Sequence, residues 1–107
     1  MRPRVIIGTH NETFLIKDRV TLECKMEDTG VFIDAKWIRE ETEKILATTN
    51  FSSSSSPKTG LMYHKFYYVI EKVSTEDKGT YKCVANYSGF GPVHARYKLL
   101  VRGKLVL

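Results

Sequence analysis

The sequence predicts an all-β fold, an antiparallel sandwich built from short strands. Apolar and polar residues alternate along several short runs, as they do in strands with one buried face. The clearest run is Tyr81–Ala85, which follows the turn residues Asp77 and Gly79. Two further alternating runs carry Cys24 and Trp37. Together these features favour a small antiparallel sandwich.

Length and composition suit one domain. The chain has 107 residues, of which 42% are hydrophobic, and no apolar run approaches the roughly 18 residues of a membrane span. We expect a single domain over residues 1–107, with an ordered core over about 5–101 and an exit tail over 102–107. No signal peptide opens the chain, so we expect a module of a longer protein that meets a membrane only through that parent.

The first strand is predicted in two parts. Arg4 to Gly8 forms a short apolar strand, Gly8 to Asn11 interrupts it, and Thr13 to Ile16 resumes it. Such a split is common where an edge strand switches between sheets. The second strand covers Arg19 to Met26, and its predicted inward residues are Val20, Leu22, Cys24 and Met26.

The middle of the chain predicts two strands joined by a charged connection. The central strand covers Asp34 to Glu40 with Trp37 inward, where the large indole suits the core. Glu40 to Lys44 is too short for a helix that is stable alone. The pattern of Lys44 to Thr49 predicts an edge strand. The polar, serine-rich residues Ser52 to Gly60 predict a mobile loop.

The last third predicts three strands. Phe66, Tyr68 and Ile70 alternate inward before a corner at Val73. The Tyr81–Ala85 strand follows, and then a hairpin loop over Asn86 to Pro92. The final strand closes the sandwich with four inward residues, Ala95, Tyr97, Leu99 and Val101.

The two cysteines, Cys24 and Cys83, lie on strands predicted to face each other. An even pair in this arrangement suggests one disulfide. Closing a loop of about 60 residues stabilises a fold by roughly 4 kcal/mol in the chain-entropy model. Such a bond persists in the secretory pathway or outside the cell, not in the cytosol. The alternative is a pair of buried, reduced thiols in an intracellular module.

All three asparagines of the chain, Asn11, Asn50 and Asn86, begin an Asn-x-Ser/Thr tripeptide. Because serine and threonine make up roughly a sixth of the chain, chance would arrange this less than about one time in a hundred. Asparagine also favours turns, which is the competing explanation. We expect all three to be glycosylated in an extracellular domain.

The sequence offers little evidence for a catalytic site or a metal site. His10, His64 and His94 fall in different predicted places, without the paired spacing of metal ligands. The carboxylates form no catalytic constellation, so we expect no enzyme and no cofactor. A net charge of +5 and a pI near 9.3 favour acidic partners. No block of consecutive Lys or Arg exists, so we expect no nucleic-acid partner.

One combination of motifs resembles the I-set and C2-type immunoglobulin (Ig) domains. It joins Val20-x-Leu22-x-Cys24, Trp37, and the run from Tyr68 to Ala85 that contains Asp77-x-Gly79-x-Tyr81-x-Cys83. The match covers roughly Val5 to Val101. It implies Greek-key connections between the two sheets and an inter-sheet disulfide on which Trp37 packs. It also implies that the Tyr81 hydroxyl bonds upstream backbone in a tyrosine corner, and that Asp77 is structural. One departure is Tyr87, where I-set domains often carry asparagine.

A second resemblance is narrower. Gly30 to Trp37, together with Met62 to Gly89, is similar to ligand-binding Ig domains of the VEGF and PDGF receptor tyrosine kinases. That resemblance implies growth-factor binding in tandem with neighbouring domains.

Strand phase predicts a candidate partner-binding face on the sheet that holds the Trp37, Cys83 and Tyr97 strands. This face is basic, with apolar Ile38 and Val84 near its middle. Exposed apolar residues ringed by charge mark protein interfaces. The partner would be an acidic protein or a sulfated glycan such as heparan sulfate; the alternative is an ordinary solvated face whose lysines discourage edge pairing. The predicted outward residues are Lys36, Ile38, Thr80, Lys82, Val84, His94, Arg96 and Lys98.

These observations predict a non-enzymatic protein-recognition module of a larger cell-surface receptor or adhesion protein. Its partners would be a protein ligand or neighbouring Ig domains. Two alternatives stay open. One is an intracellular, muscle-type structural Ig module with reduced cysteines, and the other is an extracellular spacer whose neighbours do the binding.

Overall fold

A computed structural model describes residues 2–50 and 62–103 of the chain. The predicted serine-rich loop and most of the predicted exit tail lie outside these residues. Within them, eight strands and one short 3-10 helix follow one another. The strands are β1 (Val5–Ile7), β2 (Thr13–Leu15), β3 (Val20–Glu27), β4 (Phe32–Arg39), β5 (Lys44–Thr49), β6 (Tyr63–Ile70), β7 (Gly79–Tyr87) and β8 (Gly91–Arg102), and the helix is Thr75–Asp77.

The strands form two sheets packed as a sandwich, which confirms the predicted fold class. One sheet has the order β1-β3-β6 and the other β2-β8-β7-β4-β5. After the split first strand, the chain crosses between the sheets from β3 to β4, from β5 to β6 and from β6 to β7, in the manner of Greek-key connections. In the described part of the chain, no helix is long and apolar enough to cross a membrane.

The first strand is split between the sheets, as its sequence predicts. β1 pairs antiparallel with β3, and β2 pairs parallel with β8, so this one pairing departs from the antiparallel pattern. The chain leaves β1 through Gly8, whose backbone N–H donates to the Glu23 carbonyl at 2.8 Å. A Cβ at Gly8 would collide with the Glu23 carboxylate. Gly8 therefore leaves room for this carboxylate beside the backbone, at the point where the chain crosses to β2.

A disulfide between Cys24 and Cys83 joins β3 to β7 and so ties the two sheets together. Trp37 is fully buried and lies opposite Cys83 in the β4–β7 register. Its indole Nε1 donates to the carbonyl of Phe66, in the other sheet, at 3.2 Å. The predicted disulfide is confirmed, and the buried indole has the hydrogen-bond partner that a tryptophan needs in a core.

Two predicted boundaries are wrong. β4 begins at Phe32, two residues earlier than expected, and the hairpin loop over Asn86 to Pro92 is too long. β7 continues through Asn86 and Tyr87, because the Asn86 side chain bonds across to β4 and Tyr87 is buried. The turn is reduced to Ser88–Phe90, since β8 begins at Gly91 with φ of 73°.

Candidate functional site

The candidate site is the outer face of the five-stranded sheet. Along β7, the inward residues from Tyr81 to Tyr87 are buried and alternate with half-buried ones. Register then aligns the outward residues of neighbouring strands in rows. One row contains Ile38, Lys82 and Arg96, the next Lys36, Val84 and His94, and a third Thr80 and Lys98. The eight residues predicted from strand phase therefore share one face.

The apolar centre of this face is larger than the sequence indicates. Ile38 lies directly opposite Ile45 of β5, and Val84 is its diagonal neighbour across β4 and β7. Ile45 is 51% exposed. We define the apolar centre as Ile38, Ile45 and Val84.

Sequence reasoning missed Ile45 because Ile45, Leu46 and Ala47 are three consecutive apolar residues without alternation. A register shift between Trp37 and Ile38 places both Leu46 and Ala47 against the core and leaves Ile45 outward. Such a bulge inserts one residue and re-aims its neighbours. A run of apolar residues on an expected edge strand was the available signal.

The face is less basic than predicted. The Arg96 Nε donates to the Glu40 carboxylate at 2.8 Å, and this pair cancels one positive charge. In the described part of the chain, Lys36, Lys82 and Lys98 take part in no ion pair. The surface therefore combines an apolar centre with lysines and one neutralised arginine. That mixture is typical of an interface core with a polar rim.

A polar border lies beside the apolar centre, toward the β7–β8 turn. Asn86 Nδ2 donates to the Asp34 carboxylate at 2.6 Å. Asp34 also lines an open cleft of about 250 Å³ together with Thr48, Thr49 and Asn50. Hydroxyl, carboxamide and carboxylate groups in one cleft can satisfy a polar or cationic side chain from a partner.

The β7–β8 turn is fixed by Tyr87. Its hydroxyl donates across the sandwich to the Glu27 carbonyl at 2.8 Å, and its ring packs edge-on against Phe32 at 5.6 Å between centroids. Burial raises the pKa of Tyr87 to about 12. The neighbouring Ser88 N–H donates to the Val31 carbonyl at 2.7 Å. Tyr87, which stands where I-set domains often carry asparagine, therefore holds the β7–β8 turn against β3 and β4.

The opposite end of the face is held by Arg39. Its Nη2 donates to the Lys78 carbonyl at 2.7 Å, and its guanidinium lies 5.7 Å from the centre of the Tyr81 ring. Nearby, the Thr80 N–H donates to the Glu41 carboxylate at 2.7 Å. This hydrogen bond is the main reason that the pKa of Glu41 is lowered. Both contacts anchor β4 and its following turn to the start of β7.

The histidines are not brought together. His64 Nε2 lies 3.0 Å from the Asp28 carboxylate, and its ring lies 5.2 Å from that of Phe32. His94 is exposed on β8, and His10 precedes β2. Over residues 2–50 and 62–103, no group of three or more His, Cys, Asp or Glu side chains could hold a metal ion.

The three glycosylation candidates differ in their surroundings. Asn11 is exposed between β1 and β2, and Asn86 is half-buried on β7. Asn50 is exposed after β5, but the rest of its tripeptide, Phe51-Ser52, lies outside the described residues.

Comparison with protein-family models matches residues 10–94 to the immunoglobulin domain. Comparison with curated proteins gives no match. Several solved structures share the fold. One, described as Dpr11 IG1 bound to DIP-gamma IG+IG2, is 26% identical over 89% of this chain and 100% of that chain, with a TM-score of 0.61. Another, described as Dpr1 IG1 bound to DIP-eta IG1, is 19% identical over 92% and 96%, with a TM-score of 0.64.

A third solved structure, the Ig1 domain of mouse SynCAM 2, is 16% identical over 96% of this chain and 97% of that chain, with a TM-score of 0.66. Each comparison spans nearly the whole chain, so the shared feature is the complete sandwich and not one motif.

Proposed function

The chain belongs to the immunoglobulin domain family, and from this premise we propose that it is a non-enzymatic protein-recognition module of a cell-surface adhesion or receptor protein. It binds a partner Ig domain through the outer face of the five-stranded sheet. The observation that carries this proposal is the apolar centre of Ile38, Ile45 and Val84, bordered by lysines on one side and by the Asp34–Asn86 pair on the other.

The similar solved structures support an Ig partner. Two of them are described as one Ig domain bound to another. An apolar centre with a charged and hydrogen-bonding rim suits such a partner, because burial of the centre supplies affinity and the rim supplies specificity. The narrower resemblance to growth-factor receptors stays a prediction.

The disulfide favours an extracellular domain over the muscle-type alternative. A cystine that links β3 to β7 across the core belongs to an oxidising compartment. The single-domain boundaries predicted for residues 1–107 are retained in this proposal.

A pair of matched variants tests the binding face. Ile45→Asp places a charge in the apolar centre, whereas Ile6→Asp makes the same change on β1 of the other sheet. The two isoleucines have similar exposure, 51% and 43%, and both lie on short edge strands. The probe is a multivalent array of purified Ig ectodomains that includes this domain itself.

We expect the wild-type domain and Ile6→Asp to bind the same array members, and Ile45→Asp to lose them by at least tenfold in apparent affinity. Equal loss from both variants, or retention by Ile45→Asp, would assign binding to another surface. Absence of any Ig partner would favour the extracellular spacer.

Heparan sulfate is a second candidate partner for the same face, since Lys36, Lys82 and Lys98 lie on it without acidic partners among the described residues. The Arg96–Glu40 pair weakens this alternative, because a paired guanidinium contributes less attraction to a sulfate.

A further inference from the structure

We propose that Asn11 carries an N-linked glycan and that Asn86 does not, although both begin an acceptor tripeptide. The assignment of Asn11 depends on local geometry alone. The exclusion of Asn86 also rests on the proposed function of the outer face.

The Asn11 side chain is available for glycosylation, while its backbone is held in place. Asn11, Glu12 and Thr13 are all exposed. The Asn11 carbonyl accepts a hydrogen bond from the Tyr97 hydroxyl, and the Glu12 carbonyl accepts one from the Leu100 N–H at 2.8 Å. Within the described residues, the Asn11 carboxamide itself makes no hydrogen bond. The backbone is therefore held while the side chain is left to solvent.

Asn86 has the opposite surroundings. Its Nδ2 is the donor to Asp34 at 2.6 Å, and it lies between Asp34 and Pro92 in the register of β4, β7 and β8. The next residue, Tyr87, is 1% exposed. A bulky sugar on this nitrogen would compete with the Asp34 contact and would stand over the outer face beside Val84.

The modification uses the same atom that Asn86 commits to Asp34. The carboxamide nitrogen bonds to the anomeric carbon of an oligosaccharide that is linked through a diphosphate to a polyisoprenyl lipid. The bond from that carbon to the phosphate oxygen breaks, the nitrogen loses one proton, and the lipid diphosphate leaves. The nitrogen keeps one of its two N–H groups. A glycosylated Asn86 could therefore still donate one hydrogen bond, but from a nitrogen crowded by the sugar.

A glycan at Asn11 would cover an exposed strand edge without covering the apolar centre. It precedes β2, which is an edge strand of the five-stranded sheet, whereas Ile38 lies on β4, three strands away in the order β2-β8-β7-β4-β5. A glycan at Asn11 would shield the open edge of β2 from pairing with another strand. It would also leave the apolar centre accessible to a partner.

Glycopeptide mass spectrometry of the domain secreted from an animal cell line tests the assignment. Asn50→Gln serves as the background, so that only two acceptors remain. In this background, Thr13→Ala and Ser88→Ala each remove one acceptor signal while both asparagines stay in place. Both changed residues are exposed, so neither variant opens a core cavity.

We expect the Asn50→Gln protein to carry one glycan, which Thr13→Ala removes and Ser88→Ala leaves unchanged. Asn11→Gln should reproduce the effect of Thr13→Ala. A glycan on the peptide that contains Asn86, or an empty Asn11 in the secreted protein, overturns the inference. The binding test with Ile45→Asp is separate, so a glycan on Asn86 together with partner binding lost in Ile45→Asp would reject this inference and retain the proposed function.

Discussion

The Tyr81 hydroxyl donates to the backbone carbonyl of Asp77, four residues earlier, at 2.6 Å. The Asp77 carboxylate in turn accepts the Ser74 N–H at 2.8 Å, which closes the short helix before β7. These two hydrogen bonds hold residues 74–81 together: the buried Tyr81 ring carries the hydroxyl that fixes the turn before β7.

We expect Tyr81→Phe to destabilise the fold by about 1–2 kcal/mol, because it leaves the Asp77 carbonyl without its buried donor while it keeps the ring. Urea unfolding measures the change. Tyr67→Phe is the surface control: Tyr67 is 48% exposed and its hydroxyl hydrogen-bonds the Glu23 carboxylate, so its removal should cost clearly less than removal of the Tyr81 hydroxyl. A loss from Tyr81→Phe no larger than that from Tyr67→Phe would show that the corner hydrogen bond contributes no more than a surface one.

Tyr87 offers a comparison with the asparagine that many I-set domains carry. Tyr87→Asn removes a buried ring from its contact with Phe32 and should cost about 3 kcal/mol or more. Tyr87→Phe removes only the hydrogen bond to Glu27 and should cost about 1 kcal/mol. Thermal and urea unfolding of both variants give the ranking. If Tyr87→Asn matched Tyr87→Phe, the ring would have no role as a brace.

Stability should fall in strongly alkaline solution. Burial is the first cause that raises the pKa of Tyr81, Tyr87 and Tyr97 to about 12 in the fold, against about 10 in the unfolded chain. The unfolded state therefore loses these protons first, and the stability that the neutral phenols contribute is complete below pH 10 and declines toward pH 12. Urea midpoints measured from pH 8 to pH 11.5 and an ultraviolet titration of the phenols check this. Phenols that all titrate near pH 10 in the folded protein would contradict it.

Removal of the disulfide should cost about 4 kcal/mol, because Cys24 and Cys83 close a loop of 59 residues in sequence separation. The double variant Cys24→Ala with Cys83→Ala is compared with the wild type, with and without reductant, by urea unfolding. Reductant should destabilise only the wild type. If reductant did not lower the unfolding free energy of the wild type, under conditions in which the protein unfolds and refolds, the disulfide would contribute little.

Retention on a heparin column distinguishes the glycan partner from a protein partner. Lys82→Glu and Arg96→Glu lower the net charge equally. If heparan sulfate binds the outer face, Lys82→Glu should still lower the eluting salt concentration more, because Glu40 engages the Arg96 guanidinium and leaves it less available to contact a sulfate. Lys65→Glu, on the other sheet, controls for net charge. Unaltered retention in the double variant Lys82→Glu with Arg96→Glu would remove the face as a glycan site.

The sequence predicted most of the sandwich because its signals are local and periodic. The alternation around Cys24 and Cys83 fixes which side of β3 and β7 is buried, and this phase decides the register of neighbouring strands. The break after Ile7 showed where the first strand leaves one sheet for the other.

The parts that could not be predicted depend on contacts distant in sequence. The outward position of Ile45 follows from a bulge against β4, and the buried position of Tyr87 follows from its contact with Phe32. The apolar run Ile45, Leu46 and Ala47 does not show which of its members faces outward. Tyr87 continues the alternation of Tyr81, Cys83 and Ala85, but the turn residues that follow hide how far the strand extends. The neutralisation of Arg96 likewise requires Glu40, 56 residues earlier, to reach it.

The parallel pairing of β2 with β8 has a mechanical consequence. Tension applied to the residues that precede β2 and follow β8 pulls the start of β2 and the end of β8 in opposite directions along the strands. The hydrogen bonds between Thr13–Leu15 and Leu100–Arg102 then bear load together, in shear, instead of opening one after another. The sandwich would thus resist stretching where its first strand changes sheets.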